Sequence, residues 1–280
     1  MTLVLALALL VAAPAPSATS PPAKGSSARA PARAAAPPTF VVVLDPGHGG
    51  EKDGALSVEG RREKDITLQI ARLLRKRLEK QGARVVLTRG ADVTVDLPRR
   101  AAIANAEEAD LFVSLHLNSA PGGPGSPARG IETYFLSADA TDASASAVAA
   151  RENADRPRSD PSDAVGGILE DLEDQANLAE SSRLAQAIHG ALVRGTRAPD
   201  RGVKQAPFHV LAGARMAAAL LELGFVSHPV EGKDLARPAR QEAIAASIAD
   251  GIAAWRRAAT ANAASAASPS PPAAPTAAVR

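Results

Sequence analysis

An α/β fold is predicted, a single domain with a mostly parallel central sheet flanked by helices and its active site at the carboxyl ends of the strands. Three observations predict it. Short, continuously apolar runs alternate with amphipathic segments of helical period, the apolar runs are mostly rich in β-branched residues, and three of them end in side chains able to bind a metal or move a proton. Phe40-Val41-Val42-Val43-Leu44 has the unbroken apolar character of a strand buried on both faces. Ala83–Leu87 and Leu111–Leu115 read the same way, and so does Ala217–Leu221, although alanine favours helix. Between the first two strands, Ile66, Ile70, Leu73, Leu74 and Leu78 fall on one helical face, with Arg72, Arg75, Lys76 and Glu79 opposite. Gly82 follows as the C-terminal cap. A last helix, roughly Arg240 to Trp255, carries Ile244, Ile248 and Ile252 at helical spacing.

Composition limits what such a fold can do. The 280 residues are 46% hydrophobic, enough for one sizeable core and too little to require two large domains. Lys plus Arg number 32 against 30 for Asp plus Glu, which supplies no excess charge for a nucleic-acid partner. An aromatic content of 2% argues against a base-stacking platform. The absence of cysteine excludes thiol catalysis, disulfides and Cys-type zinc sites.

The ends differ from the middle. Leu3 to Ala13 is an apolar run too short for a comfortable membrane span and suited to the core of a signal peptide, so residues 1–18 read as an export signal, although no Lys or Arg precedes the run. Residues 19–38 are an Ala/Pro/Ser-rich linker, expected to be disordered because it has too little to bury to offset its ordering entropy. The folded domain spans 39–257, and 258–280 repeats the linker's composition and is likewise expected to be a disordered tail. The expected location is therefore the periplasm or cell envelope, with no transmembrane segment in the mature chain. Within the domain, residues 137–180 hold eleven acidic side chains against three basic ones, with Leu169, Leu172 and Ala176 able to line one face of a short helix. Such an excursion in a compact domain is functional or disordered.

The chemistry gathers where strands end. Val41–Leu44 runs into Asp45-Pro46-Gly47-His48-Gly49-Gly50, Leu111–Leu115 into His116-Leu117-Asn118-Ser119, and Ala217–Leu221 into Glu222-Leu223-Gly224. In an open α/β sheet, ligands bind beyond the carboxyl ends of the strands, so parallel strands would bring His48, His116 and Glu222 into one crevice. Glu63, at the start of the first amphipathic helix, is within reach of the same edge. Two imidazoles, a carboxylate and an open position make up a hydrolytic zinc site, and a further carboxylate is needed to move protons. Glu222 fits the latter role because a strand end fixes it. Glu51 and Asp53 are rival oxygen ligands, and each of these residues taken alone has an ordinary structural reading.

Taken together, Val43-Leu44-Asp45-Pro46-Gly47-His48-Gly49-Gly50 and Glu63-Lys64-Asp65 resemble the opening of the zinc-dependent N-acetylmuramoyl-L-alanine amidases, of the type that separates daughter cells. The likeness continues through Val86–Arg89, Arg99–Asn105, Ala109–Asn118, Arg129–Tyr134, Arg201–Gln205 and Leu221–Ser227, in family order. The resemblance implies one zinc ion per chain held by His48, Glu63 and His116, with Glu222 as the catalytic glutamate. It implies hydrolysis of the amide joining N-acetylmuramic acid to the L-alanine of the peptidoglycan stem peptide. Asn118, Lys204 and Gln205 are its candidate substrate contacts. His228 stands where the family often has Asn, and His189 and His209 match no ligand position. The excursion, most closely around Arg151–Asp155 and Val165–Ile168, resembles an insertion that covers the active site until an activator protein displaces it. The expectation is that residues 138–180 autoinhibit the enzyme through an unidentified carboxylate at the open zinc position. Alternative readings are a zinc peptidase cutting another wall-peptide bond and a non-catalytic peptidoglycan-binding module.

Overall fold

A computed structural model describes residues 40–154 and 175–266. The expectations for residues 1–38, and for Leu169 and Leu172, fall outside them. Six strands form one sheet: β1 (Val41–Pro46), β2 (Arg84–Leu87), β3 (Leu111–Asn118), β4 (Ile131–Leu136), β5 (Asp200–Ala206) and β6 (Ala217–Phe225). Their order is β2-β1-β3-β6-β4-β5. β2, β1, β3 and β6 run parallel, as do β4 and β5, while β4 runs against β6. The reversal has a local cause. The loop after β3 contains no helix to carry the chain across the sheet, so β4 starts at the edge where β3 ends.

Strand periodicity divides the core into two layers. Val42 and Leu44 face one side with Ile66, Ile70, Leu74 and Leu78 of α1 (Glu63–Lys80), together with apolar residues of α4 (Gln175–Thr196) and α6 (Pro238–Ala266). Val41 and Val43 face the other side with Leu97 of α2 (Leu97–Ala106), Val148 of α3 (Ala143–Asn153) and Phe208. A short α5 (Glu231–Leu235) follows β6. In α1 the acidic residues Glu63 and Asp65 occupy the first turn and Arg77 and Lys80 the last, matching the helix macrodipole. Gly82, at φ 86°, ends α1 in a left-handed conformation that favours glycine.

The four apolar runs expected as strands are strands. β4 and β5 are additional, and α6 extends past Trp255 to Ala266, so residues 258–266, expected in the disordered tail, continue the helix, while 267–280 lie outside the described residues. Among the described residues no helix is long and apolar enough to cross a membrane.

Candidate active site

The parallel run β1, β3, β6 brings the chain's reactive groups to one edge. His116 of β3 stands in register with Glu222 of β6, and Glu222 in turn with Glu132 of β4. His48 arrives from the turn just beyond β1, at φ 58°. That turn is held from behind by two buried arginines. Arg89 donates from Nε to the Pro46 carbonyl at 2.8 Å and from its terminal nitrogen to the Gly47 carbonyl at 2.8 Å. Arg100 donates to the His48 carbonyl at 2.9 Å and pairs with buried Asp45 at 2.7 Å. Gly47 has no room for a side chain, since a Cβ there would stand 2.4 Å from His116 Cε1.

Glu63, 1% exposed, is aimed by backbone donors. The Ala55 amide donates to Oε2 at 2.8 Å and the Leu117 amide to Oε1 at 2.8 Å. Its Oε1 lies 3.1 Å from both His48 Nε2 and His116 Nδ1. The fourth member is Glu152 of α3, whose Oε2 lies 3.3 Å from His48 Nε2 and 2.9 Å from His116 Nδ1. The four donor atoms all lie within 4.8 Å of one another. Zinc holds nitrogen and carboxylate-oxygen ligands at about 2.0–2.2 Å, which makes the edge of a tetrahedron about 3.3–3.6 Å. The nearest separations here, 2.9–3.3 Å, are close to that edge, so the donor set and its spacing fit zinc. Burial opposes ionisation of Glu63, yet the two imidazoles hold its pKa at about 2. Burial likewise opposes charge on His116, but Glu152 and Glu63 lift it to about 9.

Beside this group, Glu222 is fully buried, and burial pushes its pKa up to about 8 even though Arg151 pulls it down. Its Oε1 pairs with Arg151 at 3.3 Å, while Oε2 is buried with no hydrogen-bond partner among the described residues. A carboxylate poised near neutrality with a free oxygen can take a proton and return it.

A family model described as N-acetylmuramoyl-L-alanine amidase matches residues 42–254. The chain belongs to the N-acetylmuramoyl-L-alanine amidase family. It is 34% identical over 248 residues to AmiC of Escherichia coli O6:H1, covering 84% of this chain and 57% of that protein. To AmiA of Escherichia coli K12 it is 34% identical over 218 residues, 76% of this chain and 74% of that one. The chain thus spans little more than half the length of the AmiC relatives it matches. Among solved structures, the N-acetylmuramoyl-L-alanine amidase of Clostridium difficile 630 superposes with a TM-score of 0.61 at 31% identity, over 78% of this chain and 97% of that one. The CwlD amidase of Clostridioides difficile, solved in complex with the GerS lipoprotein, gives 0.60 at 26% identity, over 79% and 100%.

Within this amidase-family site, His48, Glu63, His116 and Glu222 stand together. Asp53 instead pairs with Lys64 at 2.8 Å and lies outside the metal group, as does exposed Glu51. Asn118 is buried and donates to Glu132 at 2.6 Å. Lys204 bridges Glu132 and Asp142, and Gln205 joins its backbone to Thr141. His189 bridges Thr133 and Asp200, and His228 accepts from the Glu231 amide. Sequence reasoning placed Glu152 in the covering segment without singling it out, and missed Glu132. Both stood inside motifs that carried the family resemblance.

Proposed function

We propose that this chain is an exported, zinc-dependent hydrolase cleaving the amide between N-acetylmuramic acid and the L-alanine of the peptidoglycan stem peptide, held inactive by α3 until a partner protein withdraws it. The reading rests on one observation: a buried carboxylate, one oxygen of which has no hydrogen-bond partner among the described residues, adjoins a four-donor group whose fourth member comes from a separate helix. His48, Glu63 and His116 would hold the zinc. Bound there, zinc supplies Lewis acidity towards the scissile carbonyl and lowers the pKa of a water.

The remaining work falls to Glu222. Its Oε2 accepts the proton of the attacking water, and the same carboxyl then delivers it to the leaving amine of alanine. Burial, which lifts its pKa to about 8, makes the return of that proton feasible near neutral pH.

α3 opposes every part of this. Glu152 would take the fourth position at a bound zinc, Arg151 engages Glu222 and also donates to the Ser119 carbonyl at 2.8 Å, and Asn153 donates to the Pro207 carbonyl at 2.7 Å. The GerS complex of the CwlD relative supports a protein partner for a catalytic domain of this kind.

Digestion of purified peptidoglycan by the zinc-loaded full chain, followed by mass spectrometry, tests the reading. Intact stem peptides freed from glycan are expected, and shortened stems would overturn the assigned bond. Glu222→Gln should lower the rate by about 10²–10⁴-fold, the usual worth of a general acid–base group, while zinc content stays unchanged. Glu152→Ala should raise basal release, and no rise would remove the inhibitory role of α3.

A further inference from the structure

The floor beneath α3 continues past the metal group. Row by row it crosses four strands: His116 on β3, Glu222 on β6, Glu132 on β4, and Lys204 on β5, in register with Tyr134. Glu132 is fully buried, and both its oxygens are occupied. Oε2 accepts from Asn118 at 2.6 Å and from the Tyr134 hydroxyl at 2.8 Å, and Oε1 from Arg201 at 2.9 Å and Lys204 at 3.3 Å. Two cations thus share one buried carboxylate, leaving a surplus positive charge. Asp142, the N-cap of α3, answers it: its Oδ2 lies 3.2 Å from Lys204 Nζ, while its Oδ1 accepts the Ala145 amide at 2.7 Å. Lys204 is itself largely buried, with its side chain 12% exposed.

α3 therefore covers the floor with a carboxylate at each end, Asp142 on Lys204 and Glu152 at the metal group. Ten helical residues span about 15 Å. Three strand-to-strand steps, from β3 to β5, span about 14 Å, the reach of about four residues of extended peptide.

We infer that Lys204, held by Glu132 beside Arg201, is a subsite for a carboxylate of the substrate peptide some residues beyond the scissile amide, and that Asp142 occupies it while α3 is in place. The inference rests on the amidase reading and adds to it the acidic character of the peptide. When α3 leaves, Asp142 leaves with it, and the surplus charge of Lys204 and Arg201 on Glu132 is open to an anionic ligand. There a charge-assisted hydrogen bond discriminates strongly between a carboxylate and its amide.

Equilibrium binding to the zinc-loaded full chain tests this, in an Arg151→Ala/Glu152→Ala background that frees the metal end and carries Glu222→Gln so that the probes stay intact; cleavage is read separately with Glu222 present. The probes are an N-acetylmuramoyl tetrapeptide with free carboxylates and the same compound with those carboxylates converted to amides. The acid probe should bind about tenfold more tightly than the amide. Asp142→Asn, which preserves an N-cap, should increase that preference. Lys204→Met should abolish it without weakening the amide probe, and Lys204→Arg should retain it, which separates recognition from folding. Equal affinity for the two probes with Lys204 present, or equal weakening of both by Lys204→Met, would overturn the subsite, as would failure of the acid probe to bind. Cleavage of both probes without preference would sink the subsite and spare the amidase, whereas cleavage of neither would count against the amidase itself.

Discussion

Asp45 shows how much of the site depends on a residue outside the four-donor group. It is fully buried, and three donors surround it: Thr88 at 2.5 Å, Arg100 at 2.7 Å and Ser114 at 2.7 Å. Burial alone would raise its pKa, but Arg100 and the two hydroxyls outweigh burial and hold it below the ordinary aspartate value of 3.8. The same Arg100 grips the His48 carbonyl, so the ion pair anchors the turn that carries His48. Asp45→Asn would leave a buried guanidinium uncompensated, and at neutral pH should cost about 3–5 kcal/mol in denaturant unfolding. The pH dependence has a definite sign. A carboxyl whose folded pKa is depressed stabilises the protein above its unfolded value and loses that contribution as pH falls through the folded value. The gap between wild type and Asp45→Asn should therefore narrow below about pH 4. A gap that stays constant into acid would assign the loss to packing and not to charge.

Among the elements, α3 is the one whose position no local pattern announces. Its buried face is only Ala145, Val148, Ala149 and Glu152, and its attachment comes from polar contacts with residues far away in the chain. Asn153 makes two of these, donating to the Pro207 carbonyl and accepting the His209 amide at 2.8 Å, without touching the metal group or Glu222. Asn153→Ala should remove roughly 1–3 kcal/mol of docking, at about 0.5–1.5 kcal/mol per hydrogen bond. Amide exchange across α3 should then accelerate, and basal hydrolysis should rise about tenfold, the equivalent of about 1.4 kcal/mol. Faster exchange without added activity would mean that α3 does not limit access. The contrast with α1 explains what was legible. Ile66, Ile70, Leu74 and Leu78 repeat at helical spacing and bury one face, so α1 could be read from its own residues. β4 and β5 could not, because their inward positions include Glu132, Thr133 and Lys204, polar groups that break the apolar signature of a strand. His48, His116 and Glu222 were legible because apolar strands deliver them to one edge. Glu152 was not, because its meaning depends on partners in other segments.

At the scale of the whole molecule, the four-donor group joins the turn after β1, the start of α1, the end of β3 and the end of α3. A metal bound there would add its binding free energy to the folded state, since the unfolded chain offers no preformed site. At free zinc about 100-fold above Kd the gain is about 2.7 kcal/mol. For a domain of this size, that corresponds to a rise in Tm on the order of 5–10 °C. The sheet does not depend on it, because two apolar layers bury Val41 to Leu44 and their partners independently of the donor group. Chelation should therefore lower Tm by that amount while far-UV circular dichroism at 25 °C stays unchanged. Its local effect should concentrate in α3, which contributes only Glu152 and docks through polar groups, so amide protection there should fall further than in β1, β3 or β6. Adding zinc back should restore both. Global loss of structure on chelation would show that the metal group, and not the layered core, holds the domain together. Uniform exchange across sheet and α3 would mean that Glu152 is no hinge between metal binding and the covering helix.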